Sequence, residues 1–149
     1  MSAAIPDDPR LPLIAESYFR LLGRPLLTSD ADIASAMWNA PRVIVAHGTQ
    51  DDPIFFYGNR LALDAFEMDF AAFAQLPSRY SAEPLVREER ARLLERVARD
   101  GYIDDYAGVR ISATGKRFRI AQAVVWNLVD TAGVCHGQAA TFERWQPLS

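Results

Sequence analysis

The chain has 149 residues, half of them hydrophobic, a formal net charge of −3 and a pI of about 5.3. This length fits one domain with a real hydrophobic core. No apolar run is long enough to cross a bilayer, and no basic stripe indicates a nucleic-acid partner. Cys135 is the single cysteine, which excludes an internal disulfide and favours a cytoplasmic location; Met1–Asp8 has no signal-peptide pattern.

The first forty residues predict two helices. Apolar residues recur at helical spacing from Leu11 to Leu22, and Gly23 ends this helix. Ser29 or Asp30 is the expected N-cap of a second helix, which stops before Pro41.

The middle of the chain predicts a hairpin followed by helices. Arg42–His47 and Ile54–Tyr57 are rich in apolar strand formers. Asn59 and Asp69 are expected N-caps of two short helices. An amphipathic pattern over residues 84–100 predicts a longer helix, with its charged face in solvent.

The C-terminal third predicts a three-stranded meander, Tyr102–Ser112, Phe118–Val129 and Val134–Trp145. The middle strand is apolar on both sides, which predicts a central strand covered on both faces. A loop at Asp130–Gly133 would place Val125 opposite Gln138. Strict alternation assigns one face to Phe118, Ile120, Gln122, Val124, Trp126 and Leu128, and the other to Arg119, Ala121, Ala123, Val125, Asn127 and Val129.

This order of elements resembles that of a PAS domain. Asp52–Arg60 resembles the second PAS strand with the Asn that opens the next helix, and Asp130–Gly133 resembles the turn between the last two strands. More narrowly, the chain resembles the PAS-related MEKHLA domain family over nearly everything from Leu11 to Trp145. The resembling segments are Ala46–Thr49, Tyr57–Arg60, Leu76–Pro84, Arg87–Arg90, Gly108–Ser112, Phe118–Ile120, Val125–Asp130 and Gly137–Phe142.

The resemblance implies an α+β, PAS-like fold: a five-stranded antiparallel sheet with helices packed on one face and an N-terminal helical extension. It implies a single domain over residues 1–149, with an N-terminal helical segment at 1–40 and a PAS core at 41–146. In light-sensing PAS relatives a cysteine attacks a bound flavin, and Ser78 stands at that position here. We therefore do not expect a flavin-adduct photoreceptor.

By the same analogy, the sheet face beneath the short helices forms a ligand pocket. Several alanines on that face leave space for either a ligand or the aromatic side chains of the helices. Asn127 is the expected polar contact to a ligand, although it could instead bond backbone near the turn, and Arg79 could instead hold Glu83. The expected pocket residues are Tyr57, Asn59, Arg79, Tyr80, Ala121, Ala123, Val125, Asn127, Gln138, Ala140 and Phe142.

The opposite sheet face is expected to be a large apolar surface. The N-terminal helix, a second copy of the chain, or both together would cover it. The expected homodimer interface consists of Leu11, Ile14, Tyr18, Ile120, Gln122, Val124, Trp126 and Leu128.

These features predict a noncatalytic PAS-like sensory or interaction module that binds a small organic ligand, homodimerises for signalling, or does both. The alternatives are a small α+β cavity enzyme of isomerase or hydrolase type, and a structural dimerisation domain with a filled core. The expected pocket face carries no Asp, Glu or His, which disfavours an enzyme. His47 and His136 lack companions at ligand spacing, so no metal, cofactor or catalytic residue is expected. Neither nucleic acid nor a membrane is an expected partner.

Overall fold

A computed structural model gives the structure of residues 5–82 and 87–148; within its last helix, side chains are described for residue 89 and from residue 91 onward. The predicted helix start near Pro84 lies outside these residues. The elements are α1 Leu11–Leu22, α2 Ile33–Trp38, β1 Val43–His47, β2 Phe55–Gly58, α3 Arg60–Phe66, α4 Phe70–Phe73, a 3-10 helix Ser78–Ser81, α5 Arg87–Asp100, β3 Tyr102–Ile111, β4 Arg117–Val129, β5 Cys135–Phe142 and β6 Trp145–Leu148.

Helix ends follow local chemistry at several predicted positions. Gly23 ends α1 with a φ of 72°, a left-handed conformation that costs glycine little. The Asn59 and Asp69 side chains accept the backbone N–H groups of Ala62 and Ala72, so both are N-caps, as predicted. None of the helices in the described ranges combines the length and apolarity needed to cross a membrane.

The N-cap predicted for α2 was wrong by two or three residues. Asp32, rather than Ser29 or Asp30, accepts the N–H of Ser35 at 3.3 Å. Ser29 instead accepts the N–H of Ala31 at 3.1 Å, a local turn that precedes the helix.

The described strands form one antiparallel sheet in the order β2-β1-β5-β4-β3, and β6 pairs with β4. The inner face of the sheet packs against α3, α4 and α5, and the outer face packs against α1. The predicted N-terminal extension is therefore the layer that covers the second face of the central strand.

A break in β4 overturns the strict alternation predicted for it. Gln122 has a φ of 54°, which is rare for a non-glycine residue and marks a β-bulge. Val124, Trp126 and Leu128 lie on the outer face, but Phe118 and Ile120 lie on the inner face. Both earlier residues were predicted for the outer face, and the bulge is the reason they are not there.

The pairing predicted for the last hairpin was also wrong, by two residues. Val125 pairs with Ala140, and it is Asn127 that pairs with Gln138. The Asp130 carboxylate accepts the N–H groups of Ala132 and Val134, each at 2.9 Å, and this organises a longer turn than expected. A two-residue shift preserves the face on which each side chain lies.

The last predicted strand, Val134–Trp145, is divided in two. β5 ends at Phe142, and β6 then pairs with Arg117–Ile120, on the far side of the bulge. The described sheet therefore has one more strand than predicted, because the residues after Glu143 and Arg144 form a separate strand that pairs with β4.

Candidate functional site

Three central strands place a row of polar side chains on the inner face of the sheet. His47 on β1 pairs with Gln138 on β5, which pairs with Asn127 on β4. Residues directly opposite one another in antiparallel strands share a face. The Gln138 side-chain amide donates a hydrogen bond to the Asn127 carbonyl oxygen at 3.2 Å. We call these three residues the polar row.

A second row beside it is apolar and small. Val45, Ala140 and Val125 are paired across the same strands, and Ala123 follows on β4. Val45 and Val125 are buried, whereas Ala140, Asn127 and Gln138 are only partly buried. This end of the inner face therefore reaches solvent, while its walls are mostly apolar.

The C-terminal end of α5 lies over the polar row. The Asn127 side-chain amide donates to the carbonyl oxygen of Val97 at 3.1 Å, and the Asn127 backbone N–H donates to the Gly101 carbonyl at 2.9 Å. The Asn127 side chain thus forms a hydrogen bond with the backbone, which was the alternative to a ligand contact. The backbone group belongs to the end of α5, not to the nearby turn as that alternative expected. Asn127 therefore links β4 to the end of α5.

Aromatic rings line the inner face from Phe55, which pairs with His47, to Phe118 on β4. Phe55 and Phe73 stack with centroids 4.3 Å apart, and Phe66 lies 5.4 Å from Phe118. Gly58 permits this packing, because a Cβ there would come within 2.6 Å of the Phe73 ring. Where these rings pack, aromatic side chains occupy the space for which a ligand was the alternative.

Six of the predicted pocket residues lie on or beside the inner face as expected: Ala123, Val125, Asn127, Gln138, Ala140 and Phe142. His47 was missed, and the statement that this face carries no histidine was wrong. Its position follows from simple alternation after Val43 and Val45. Its Nδ1 lies 2.9 Å from the carbonyl oxygen of Gly48, so Nδ1 is the nitrogen that donates.

Tyr57 and Asn59 do not line the inner face. Tyr57 belongs to the outer cluster, where its hydroxyl is buried without a hydrogen-bond partner and burial raises the pKa of the phenol. The Asn59 amide donates to the carbonyls of Met37 and Arg42 and accepts from two backbone N–H groups, one of them that of Ile44. Asn59 joins α2, β1 and α3, and this full set of bonds leaves it no capacity for a ligand.

Arg79, Tyr80 and Ala121 do not line the inner face either. Arg79 Nε lies 3.0 Å from both carboxylate oxygens of Asp52, and its guanidinium lies 4.3 Å from the centroid of the exposed Tyr80 ring. The alternative partner predicted for Arg79, Glu83, lies outside the described residues. Ala121 precedes the bulge and is exposed. Arg79, Tyr80 and Ala121 are all exposed on the protein surface.

Helix α1 covers the outer face within the same chain. Trp126 Nε1 donates to Ser17 Oγ at 3.0 Å, and the Tyr18 ring meets the indole edge-on at 5.0 Å. The predicted interface residues Leu11, Ile14, Tyr18, Val124, Trp126 and Leu128 are buried by this packing. Ile120 lies on the inner face and Gln122 is exposed at the bulge. The homodimer stays a prediction, but these residues do not offer a surface for it.

His136, the second histidine considered, is the second residue of β5, next to the β4–β5 turn. Its Nε2 is 2.8 Å from a carboxylate oxygen of Asp130, and this hydrogen bond holds the pKa of Asp130 below its ordinary value. Cys135, next to it, is exposed. The hydrogen bond between His136 and Asp130 ties the start of β5 to the turn.

Comparison with known sequences finds one family and several relatives. The sequence model of the MEKHLA domain matches residues 10–147. The chain is 24% identical over 148 residues to Homeobox-leucine zipper protein HOX9 of Oryza sativa subsp. indica, and 23% identical over 141 residues to Homeobox-leucine zipper protein REVOLUTA of Arabidopsis thaliana. These matches cover 96% and 89% of this chain but only 18% and 17% of the relatives, so the chain spans less than a fifth of their length.

Solved structures with a similar fold are PAS and LOV domains. The PAS domain of a protein from Colwellia psychrerythraea superposes with a TM-score of 0.63 at 13% identity, covering 77% of this chain and 92% of that one. A fungal LOV domain photoreceptor superposes with a TM-score of 0.60 at 12% identity, covering 91% of each chain. Identities this low establish the fold alone, and that fold is PAS-like.

Proposed function

Because this chain belongs to the MEKHLA domain family and has a PAS-like fold, we propose that it is a noncatalytic sensory module that binds a small organic ligand beneath α5. The observation that carries the proposal is the polar row of His47, Gln138 and Asn127, set beside small side chains on an otherwise apolar and partly open face. Pockets of this kind combine apolar walls with a few polar groups that fix the orientation of a ligand.

The side-chain chemistry of the row supports binding rather than catalysis. Asn127 and Gln138 are amides, which donate and accept hydrogen bonds but do not transfer protons near neutral pH. A catalytic cavity needs a titratable group with a tuned pKa. Among the three residues of the polar row, His47 has the one titratable side chain, and its Nδ1 faces the Gly48 carbonyl.

The amide pair also indicates the ligand's chemistry. Besides the bonds to Val97 and to each other, Asn127 keeps one donor and one acceptor, and Gln138 keeps one donor and two acceptors, so the pair suits a ligand edge that carries both a donor and an acceptor. Val45, Val125 and Ala140 suit an apolar body attached to that edge. We therefore expect a small molecule with one polar edge and little charge.

A route from ligand to output follows from Asn127. Its amide holds the Val97 carbonyl near the end of α5 at 3.1 Å. A ligand that accepts from the N–H now bonded to Val97 would release that carbonyl, and the end of α5 would lose one of its links to β4. A ligand shifts such an equilibrium only by its differential affinity for the two states.

The test is native mass spectrometry of the purified full chain, with Ala140→Leu as the pocket-filling variant and Ala107→Leu, at an exposed position of β3, as its matched control. We expect a retained small molecule in the wild type and in Ala107→Leu, and none in Ala140→Leu. The Ala140→Leu fold should survive, with an overpacking cost of about 1–3 kcal/mol at most. Retention of the molecule by Ala140→Leu would show that it binds elsewhere.

A structural domain with a filled core is the second candidate, and the aromatic packing of Phe55, Phe66, Phe73 and Phe118 favours it. This candidate predicts no retained molecule in any variant. It also predicts that Ala140→Leu unfolds outright, because a packed core has no room for three more carbons.

A further inference from the structure

We propose that two copies of this chain associate through the solvent side of α1, with Phe19 close to the two-fold axis. This surface is distinct from the polar row and lies on the opposite side of α1 from the residues that pack on the sheet. The inference therefore does not depend on ligand binding beneath α5.

An apolar groove runs between α1 and the segment that leads into α2. It has a volume of about 830 Å³, and its lining includes Ala15 and Phe19 of α1, Leu26 and Leu27 of the connecting segment, and Ile33 of α2. Glu16 and Arg20 contribute the charged part of the lining from α1.

Phe19 is a large apolar residue on the solvent-facing side of α1, where a helix with one buried side usually carries polar residues. It is 57% exposed, while Leu11, Ile14 and Tyr18 are fully buried against the sheet. A surface helix ordinarily turns charged and polar residues away from the core. The exposed ring and the apolar groove together give α1 a second apolar side.

A second copy of the chain matches this surface better than an unrelated partner. An isologous interface uses one patch twice, so the patch must carry both a projecting group and the hollow that receives it. Phe19 and the groove meet that requirement. Glu16 and Arg20 carry opposite charges, whereas a strongly acidic or basic partner would leave one of them facing a like charge.

The spacing along α1 favours an antiparallel arrangement. With a rise of about 1.5 Å per residue, Glu16 lies about 4.5 Å before Phe19 and Arg20 lies about 1.5 Å after it. Two-fold symmetry reverses the partner helix, so the partner's Arg20 falls about 3 Å along the axis from Glu16, within reach of both side chains. The Arg20 guanidinium is already oriented, because Nη1 donates to the Val129 carbonyl at 2.8 Å. Two reciprocal ion pairs would then flank the Phe19 rings.

The first test is sedimentation equilibrium of the full chain and of Phe19→Ser. Leu94→Ser is the matched control, because Leu94 is 47% exposed on another helix. We expect a wild-type dimer, a dissociation constant weakened at least about tenfold in Phe19→Ser, and no change in Leu94→Ser. A monomeric wild type at high micromolar concentration, or a dimer that tolerates Phe19→Ser, would overturn the proposal.

The second test reverses the charges one at a time. Glu16→Arg gives a chain with two positive groups on the patch, and Arg20→Glu gives a chain with two negative groups. Each variant alone should be monomeric, and an equimolar mixture should form heterodimers in which every pair is complementary. Circular dichroism checks that both variants are folded. A mixture that stays monomeric, or a single variant that still dimerises like the wild type, would refute the antiparallel arrangement.

Discussion

Replacing Ser17 with alanine is expected to destabilise the fold by about 1–2 kcal/mol. Trp126 Nε1 donates to Ser17 Oγ at 3.0 Å, and both residues are almost completely buried. Alanine would leave the indole N–H without a partner, and stranding a buried donor costs about 1–3 kcal/mol. The higher helix propensity of alanine offsets about 0.5 kcal/mol of that cost, since Ser17 lies within α1.

A double-mutant cycle isolates this bond from the rest of the packing. Trp126→Phe removes the indole N–H and also leaves a cavity, so by itself it should cost more than Ser17→Ala. In the Trp126→Phe background no donor remains to be stranded, and Ser17→Ala should cost about 1 kcal/mol less than in the wild type. Urea unfolding followed by far-UV circular dichroism measures all four free energies of unfolding. Equal costs in both backgrounds would mean that the indole does not depend on Ser17, and the reasoning would be refuted.

Substitutions at three further positions test other parts of the fold. Tyr57→Phe removes a buried hydroxyl that has no described partner, so urea unfolding should find it as stable as the wild type or more so; a loss above about 1 kcal/mol would reveal a hidden partner. At the left-handed position Gln122, glycine should be tolerated and valine should cost about 1–2 kcal/mol, and the reverse order would argue against the bulge. The hydrogen bond from His136 lowers the pKa of Asp130 in the folded protein below its ordinary value of 3.8. The hydrogen bond therefore stabilises the fold fully above pH 3.8, and this stabilisation is lost as the pH falls through the pKa of the folded state. Denaturation of Asp130→Asn across pH 6 to 2.5 should therefore find its deficit against the wild type shrinking at the acid end, and a constant deficit would contradict this.

Apart from the N-cap of α2, the helix ends discussed above were predicted correctly, because they depend on nearby residues. Gly23 adopts a conformation that glycine favours, and the Asn59 and Asp69 side chains reach N–H groups only three residues away. Chemistry on this scale is visible in a short stretch of sequence. The same reasoning could not predict the two carbonyls that Asn59 also bonds, because they belong to residues distant in the chain.

The candidate site was half predicted, and its errors have different causes. Asn127, Gln138 and Ala140 were placed on the correct face, because a register error of two residues does not change the face. Tyr57 was misplaced, because which side of a short edge strand faces the core depends on the helices that pack there. His47 was overlooked although alternation along β1 puts it beside Gln138.

The bulge at Gln122 had no sequence signal, yet the two-layer packing of the fold requires a change of face near it. α1 has 12 residues and is about 18 Å long, whereas β4 has 13 residues and extends over about 43 Å. Even aligned with the strand, α1 covers less than half of its outer face. Uninterrupted alternation would leave Phe118 and Ile120 exposed beyond the helix. The bulge turns both residues inward, where Phe118 packs on Phe66. The ligand site that we propose therefore lies at the other end of β4, beside the polar row and beneath α5.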